Sequence, residues 1–109
     1  MSLSERRPGL GKSEELDSLD LPELREKIDE VDYLLLNALA QRSFIVGYVG
    51  EYKKARNIPP LDPIRWQEVV DQKKELAEQM NLDPDMVEEI YEVIHRYSLK
   101  QQDDLMDKQ

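Results

Sequence analysis

The sequence predicts an all-α protein of three helices, on the basis of its composition, the placement of its prolines and the spacing of its apolar residues. The stretches between the prolines are rich in Leu, Ala, Glu, Lys and Gln, which all favour helices. No stretch alternates apolar and polar residues for long enough to indicate a strand. With 109 residues, 39% of them apolar, the chain has room for one domain and not for two.

An aspartate close before a proline marks the start of each predicted helix. The side chains of Asp20, Asp62 and Asp83 are positioned to accept hydrogen bonds from the free N–H groups of a first helical turn. The adjacent prolines Pro59 and Pro60 predict a break after the first helix, because proline does not continue a helix. These signals predict helices over about 20–56, 63–80 and 84–106.

The remaining composition limits the classes of function. The chain has no cysteine and one histidine, His95, so the sequence predicts no disulfide, no metal site and no Ser-His-Asp triad. A formal net charge of -9 disfavours nucleic acid and anionic membranes as partners. No apolar run approaches the roughly 20 residues that span a bilayer, and no signal-peptide core is present, so we expect a cytoplasmic protein. Residues 1–19 are polar and aperiodic, and we expect a flexible tail before a helical domain over 20–109.

The first predicted helix carries an apolar seam with heptad-type spacing. At 1.5 Å per residue this helix is about 55 Å long, whereas a compact domain of this size is about 35 Å across. The two shorter helices therefore leave part of the seam uncovered, and an intertwined, antiparallel homodimer is the simplest closed solution. An extended coiled coil is the alternative. The seam positions are Leu24, Ile28, Val31, Leu35, Ala38, Arg42, Ile45, Val49 and Tyr52.

Arg42 occupies a seam position where the pattern calls for an apolar residue. Burying an unpaired guanidinium costs several kcal/mol. Lys53 follows eleven residues later and returns to within roughly 20° of the direction of Arg42. The nearest acidic residues in sequence, Asp32 and Glu51, are poorly placed to pair with Arg42. Either carboxylates from another helix or an anionic ligand must balance the two cations.

Ser98 and Gln102 continue the apolar face of the third predicted helix. Because they are four residues apart, they lie on the same face. A hydrogen-bonded polar pair in a helix-bundle core is one interpretation. Together with the two cations, the pair favours another: a polar, cationic cavity without a nucleophile, metal ligand or general base. Such a cavity suits a reaction that needs positioning and charge stabilisation.

Two stretches resemble the all-helical class of chorismate mutases: LPELREKIDEVDYLLLNALAQRSFIVGYVGEYKKARNIPPLDPIR and YEVIHRYSLKQQ. The resemblance covers about 20–105 and rests on a combination: LREKID, a second arginine seventeen residues after the first, a lysine, D-P-x-R and S-x-x-x-Q. It implies a dimer of three-helix chains whose first helices cross between subunits. It also implies the Claisen rearrangement of chorismate to prephenate, a step toward phenylalanine and tyrosine, without a cofactor.

The resemblance further implies roles for seven residues. Arg25 matches an arginine that reaches the partner subunit's site and binds a substrate carboxylate, and Arg42 matches the carboxylate-binding arginine of the chain's own site. Lys53 and Gln102 match the pair that hydrogen-bonds the ether oxygen of the breaking C–O bond, whose negative charge grows in the transition state. The other matches are Asp62, whose backbone meets the ring hydroxyl, Arg65 on the second helix, and Ser98 beside the ring carboxylate.

Trp66 departs from the family pattern, which has a glutamate directly after the arginine that Arg65 matches. That glutamate accepts a hydrogen bond from the ring hydroxyl, whereas a tryptophan side chain donates only. One alternative is that Gln67 or Glu68 takes the place of the acceptor. In another, Trp66 faces away and backbone recognises the hydroxyl. In a third, the substrate carries a different ring substituent.

A different substituent keeps two related activities open: isochorismate pyruvate lyase and 4-amino-4-deoxychorismate mutase. Ser98 and its spacing to Gln102 favour the mutase over the lyase. A non-catalytic, dimeric anion-binding module is the alternative outside enzymes, and the intact set of matched polar residues argues against it. We expect His95 to be an exposed or half-buried helix residue without a catalytic role, because the rearrangement needs no proton transfer.

Overall fold

The computed structural model describes residues 16–107 and shows there three long helices and two further helical residues, 16 and 17, with no strand. The long helices are α1 (Leu21–Ala55), α2 (Pro63–Gln79) and α3 (Pro84–Asp107). The predicted all-α class is confirmed, and each predicted helix end agrees to within one residue. The predicted tail over 1–19 falls mostly on residues 1–15, which lie outside the described residues. No helix of the described part is long and apolar enough to cross a membrane.

Aspartate side chains cap the starts of all three helices, as predicted. Before α1, the carboxylate of Asp20 accepts from the N–H of Glu23 at 2.9 Å, and the Glu23 carboxylate accepts from the N–H of Asp20 at 3.2 Å. This reciprocal pair is a capping box. The carboxylates of Asp62 and Asp83 accept from backbone N–H groups in the first turns of α2 and α3, at 3.0 and 2.9 Å.

Asparagines with left-handed backbone follow the ends of α1 and α2. Asn57 has a φ of 55° and Asn81 a φ of 60°. After α1, the N–H of Ile58 donates to the carbonyl of Lys53 at 2.9 Å, and the N–H of Asn57 donates to the carbonyl of Lys54 at 3.3 Å. This is the Schellman pattern, which satisfies the last carbonyls of a helix. The turn at Asn57 therefore ends α1 before the chain reaches Pro59 and Pro60, the prolines from which the break was predicted.

The chain divides into two compact units, Met1–Ala40 and Gln41–Gln109. In the described part of the first unit, the apolar side chains of α1 are largely exposed. Ile28 and Leu35, two positions of the predicted seam, are each 58% exposed. The other large apolar residues exposed on this part of α1 are Leu21, Val31, Tyr33, Leu34, Leu36 and Leu39.

In the second unit, the C-terminal part of α1 contacts α3 through a face of small and polar residues. Val46 and Gly50 are buried there. A Cβ atom on Gly50 would lie 2.6 Å from Leu105 Cδ1, so a larger residue there would displace the Leu105 side chain. The heptad interpretation missed this face: the neighbouring seam residues Ile45 and Val49 are exposed instead. Between α2 and α3, Val70 and Ala77 are buried.

Candidate active site

Arg42 is anchored on α3 by a neutral hydrogen bond. Its Nη1 donates to Ser98 Oγ at 2.8 Å, and both residues are half-buried. Two further hydrogen bonds fix the register of the same helices: Ser43 Oγ donates to Gln101 Oε1 at 3.1 Å, and Gln101 Nε2 donates to the Ser43 carbonyl at 2.9 Å. A hydroxyl orients the guanidinium but leaves its positive charge uncompensated.

Lys53 is held by the chain segment that follows α1. Its Nζ donates to the carbonyl of Pro60 at 2.7 Å. The Schellman turn at Asn57 reverses the chain and brings this carbonyl back to the last turns of the helix. Lys53, like Arg42, therefore has a neutral partner. Within residues 16–107, neither cation belongs to an ion pair, whereas Lys27–Glu30, Arg65–Glu68 and Lys74–Glu88 do form pairs.

His95 on α3 lies within electrostatic range of both cations. Burial lowers its pKa from the ordinary value of 6.5, and the positive charges of Arg42 and Lys53 lower it further. His95 lies three residues before Ser98 and seven before Gln102, a spacing that places all three on one face of the helix. The half-buried position expected for His95 is confirmed.

Trp66 reaches from α2 to this face of α3. Its indole stacks on the His95 imidazole with ring centroids 3.9 Å apart and planes 10° from parallel. Trp66 therefore packs against α3, and recognition of the ring hydroxyl by backbone stays a prediction. Gln67 donates instead to Asp71 at 3.0 Å, and Glu68 pairs with Arg65. That either residue takes the place of the missing acceptor stays a prediction.

Gln102 is the buried polar residue of the described core, with 6% of its surface exposed. Its Nε2 donates to the Ser98 carbonyl at 3.4 Å, which confirms that the two residues stack on one face. That distance is long for an N–H···O hydrogen bond, and the amide carries a second N–H. Its Oε1 is buried without a hydrogen-bond partner among the described residues. Leaving a buried acceptor unsatisfied costs about 1–3 kcal/mol, so Gln102 Oε1 suits a group that donates a hydrogen bond, while the second N–H of the amide suits an acceptor.

The remaining predicted site residues are not brought to this cluster by any contact in the described part of the chain. The Asp62 carboxylate caps α2, and the exposed Arg65 side chain lies 3.8 Å from Glu68. Arg25 is exposed and belongs to the first unit, so its predicted role in a partner's site stays a prediction. The sequence reasoning missed the pairing of Trp66 with His95. The spacing of His95 to Ser98 and Gln102 was the available signal.

The cluster formed by Arg42, Lys53, His95, Ser98 and Gln102 is rich in hydrogen-bond donors and carries two positive charges. It suits a ligand with negative charge and several oxygen acceptors. Nowhere in residues 16–107 do three or more His, Cys, Asp or Glu side chains meet in a group that could hold a metal ion.

Comparison with known proteins finds one matching family and several related proteins. The sequence model of the family described as Chorismate mutase type II matches residues 24–103. The chain is 32% identical over 84 residues to a chorismate mutase of Methanocaldococcus jannaschii, covering 75% of this chain and 85% of that protein. It is 33% identical over 85 residues to the T-protein of Enterobacter agglomerans, covering 78% of this chain but 23% of that longer protein. It is 31% identical over 87 residues to a 4-amino-4-deoxychorismate mutase of Streptomyces pristinaespiralis, covering 80% of this chain and 66% of that protein.

Proposed function

The chain belongs to the type II chorismate mutase family, and from this premise we propose that it catalyses the rearrangement of chorismate to prephenate. One observation carries the proposal: Arg42 and Lys53, whose charges both act on His95 of α3, each have a neutral partner and no carboxylate among the described residues. A dianionic substrate supplies the negative charge that this pair lacks. The adjacent, buried Gln102 adds an amide whose second N–H can donate to a substrate oxygen.

The reaction needs the kinds of group that this site offers. As the ether C–O bond breaks and the new C–C bond forms, negative charge grows on the ether oxygen. In the proposed complex Arg42 binds a substrate carboxylate, while Lys53 and Gln102 donate to the ether oxygen. Donors aimed at growing charge stabilise the transition state more than the substrate, and therefore raise kcat. No proton is transferred, so neither a general acid nor a general base is required.

The assembly that we propose is a homodimer in which Arg25 of each chain completes the partner's site. The exposed apolar residues of α1, with Ile28 and Leu35 each 58% exposed, support it. An apolar stripe of this extent is unusual on the surface of a monomer and is typical of a protein interface. A second copy is the partner that fits, because an isologous contact covers the same stripe on both chains. We place the activity in the cytoplasm, where a step toward phenylalanine and tyrosine is expected.

A second candidate substrate is 4-amino-4-deoxychorismate. Trp66 replaces the acceptor of the family pattern, so the contact to the ring substituent differs from the ordinary one. The Streptomyces relative carries the name of a mutase for that substrate. Both substrates share the carboxylates and the ether oxygen, so contacts to these groups do not separate them.

Incubation of the purified protein with chorismate, isochorismate and 4-amino-4-deoxychorismate, followed by identification of the products, tests the proposal. We expect prephenate from chorismate, and a loss of at least about 10²-fold in kcat/KM in Lys53→Ala, by analogy with the removal of an oxyanion donor. Lys27→Ala, which changes an exposed lysine paired with Glu30, is the matched control. Release of pyruvate from isochorismate would favour a lyase. Binding of chorismate without turnover would favour the non-catalytic module.

A further inference from the structure

We infer that His95 determines specificity for the substrate's ring substituent: the edge of its imidazole accepts a hydrogen bond from the ring hydroxyl. The inference rests on the proposed function, because it concerns how the same site distinguishes its substrate. It assigns a binding role to a residue for which the sequence indicated none. Its basis is the position, orientation and free hydrogen-bonding capacity of the imidazole.

The stack with Trp66 fixes the plane of the imidazole. The two rings are 10° from parallel at a centroid distance of 3.9 Å, so the indole covers one face of the imidazole. The ring nitrogens lie at the edge, which the indole leaves uncovered. Trp66 therefore acts as a positioning residue: it holds His95 flat against α2 and directs hydrogen bonding to the ring edge.

The imidazole lies beside the groups that are proposed to bind the substrate. His95 shares a face of α3 with Ser98 and Gln102, and both Arg42 and Lys53 are close enough to lower its pKa. Within the part of the chain that the structure describes, its ring nitrogens take part in no hydrogen bond or ion pair. A half-buried imidazole with free nitrogens at a polar site is available to a ligand.

The chemistry of the site calls for an acceptor at this point. Arg42 and Lys53 only donate hydrogen bonds, and they suit the carboxylates and ether oxygen of chorismate. The ring hydroxyl is the one substrate group that has a proton to donate. A neutral imidazole always presents one acceptor nitrogen. The lowered pKa keeps His95 neutral at pH 7 and therefore able to accept.

The same arrangement separates a hydroxyl from an amine. A protonated ring amine beside Arg42 and Lys53 adds a third positive charge, and a neutral imidazole does not offset it. A carboxylate at position 66 would offset it. We therefore expect wild-type protein to prefer chorismate over 4-amino-4-deoxychorismate, and Trp66→Glu to shift the ratio of the two kcat/KM values toward the amine by at least about tenfold, the effect of one charge-assisted hydrogen bond.

The decisive experiment compares chorismate with an analogue that lacks the ring hydroxyl. Removing one hydrogen bond between neutral groups costs about 3- to 10-fold in kcat/KM. We expect His95→Leu to lose about that factor with chorismate, chiefly as a higher KM, and less than twofold with the analogue. His95→Gln, which keeps an acceptor, should recover most of the loss with chorismate.

Two outcomes would overturn the inference. Equal losses on both substrates in His95→Leu would show that the residue serves packing alone. Equal behaviour of His95→Gln and His95→Met would exclude an acceptor role, and this second pair of variants decides the question if His95→Leu does not fold. A wild-type protein that leaves chorismate unchanged would instead remove the proposed function, and the inference with it.

Discussion

At the scale of single residues, the ionisation of His95 follows from the charges and the burial around it. The charges of Arg42 and Lys53 on α1 act on it, Trp66 covers it from α2, and neither cation has a carboxylate partner in the described part of the chain. Burial penalises the protonated imidazole, and the two cations repel it. The folded protein therefore binds a proton at His95 less readily than the unfolded chain does.

This difference predicts a dependence of stability on pH. A group whose pKa is lower in the folded state stabilises the fold fully above its unfolded pKa, and this contribution is lost as pH falls below about 6.5. We expect the free energy of unfolding in urea to decrease from pH 7.5 to pH 5. The decrease should be smaller in His95→Gln, which has the same titrating carboxylates but lacks the imidazole of His95. An identical decrease in both proteins would show that His95 has its ordinary pKa when folded.

Gln102 provides a second test at this scale. An amide donates a hydrogen bond at any pH, whereas a glutamate in its place donates only when protonated. If Gln102 faces the ether oxygen, Gln102→Glu should lose about 10²–10³-fold in kcat above the carboxyl's pKa. Activity should return toward acid pH, while wild type should change little near neutrality.

The pH profile of Gln102→Glu also separates the alternatives. A variant as active at pH 8 as at pH 5 would show that Gln102 does not face the ether oxygen. A bell-shaped wild-type profile that vanishes in His95→Ala would indicate proton transfer and would contradict the rearrangement mechanism. Circular dichroism at both pH values controls for loss of fold.

The site was predictable from sequence where polar residues interrupt an apolar pattern. Arg42, Ser98 and Gln102 stand out for this reason, and the structure brings Arg42 to Ser98 and stacks Gln102 on Ser98. The stack of Trp66 on His95 was not predictable, because it joins two helices whose rotation about their axes no local pattern specifies. Helical spacing indicated only that His95 shares a face with the polar pair.

At the scale of helices, the ends were readable because capping chemistry is local. An aspartate before a helix and a break after it depend on a few neighbouring residues. Which face of α1 packs on α3 was not readable in the same way. Gly50 lets α3 approach closely, and a Cβ there would meet Leu105 at 2.6 Å. Glycine contributes nothing to an apolar pattern, so the heptad interpretation favoured the bulkier residues beside it.

The end of α1 is coupled to the site, because the turn at Asn57 brings the Pro60 carbonyl to Lys53. Asn57 has a φ of 55°, which costs most non-glycine residues about 1–2 kcal/mol. We expect Asn57→Ala to lower the free energy of unfolding by about 1 kcal/mol and to reduce kcat, because Lys53 loses a fixed position. Asn57→Gly should leave both nearly unchanged. Urea unfolding and steady-state kinetics measure the two effects.

Asn81 offers a matched control for this prediction. It has a φ of 60° in the equivalent turn after α2, away from Lys53. Asn81→Ala should cost a similar free energy of unfolding and leave kcat unchanged. An equal loss of kcat in Asn81→Ala and Asn57→Ala would trace the effect to general destabilisation rather than to the position of Lys53.

At the scale of the whole molecule, a single chain buries few large apolar side chains. Among residues 16–107 the buried apolar residues are Val46, Val70 and Ala77. Much of the apolar surface of α1 is exposed instead. The sequence anticipated this through a comparison of lengths, which depends only on helix geometry and domain size. Contacts across a dimer interface also depend on how the second chain is placed, so the apolar pattern of one chain does not predict which residues meet there.

The proposed homodimer makes a prediction about shared sites. Each site takes Arg25 from one subunit and Arg42 from the other, so Arg25→Ala and Arg42→Ala homodimers each lack one arginine in both sites and should be nearly inactive. Unfolding the two variants together and refolding them gives mixed dimers with one doubly defective site and one intact site. If half of the dimers are mixed, about a quarter of the wild-type activity should return. Native mass spectrometry, with one variant isotope-labelled, counts the mixed dimers. The control is a mixture of Arg42→Ala with Lys53→Ala. Because each site takes both of these residues from the same chain, every site of a mixed dimer keeps one defect, and the mixture should be no more active than its parents. Mixed dimers without recovery would place Arg25 and Arg42 in the same subunit's site.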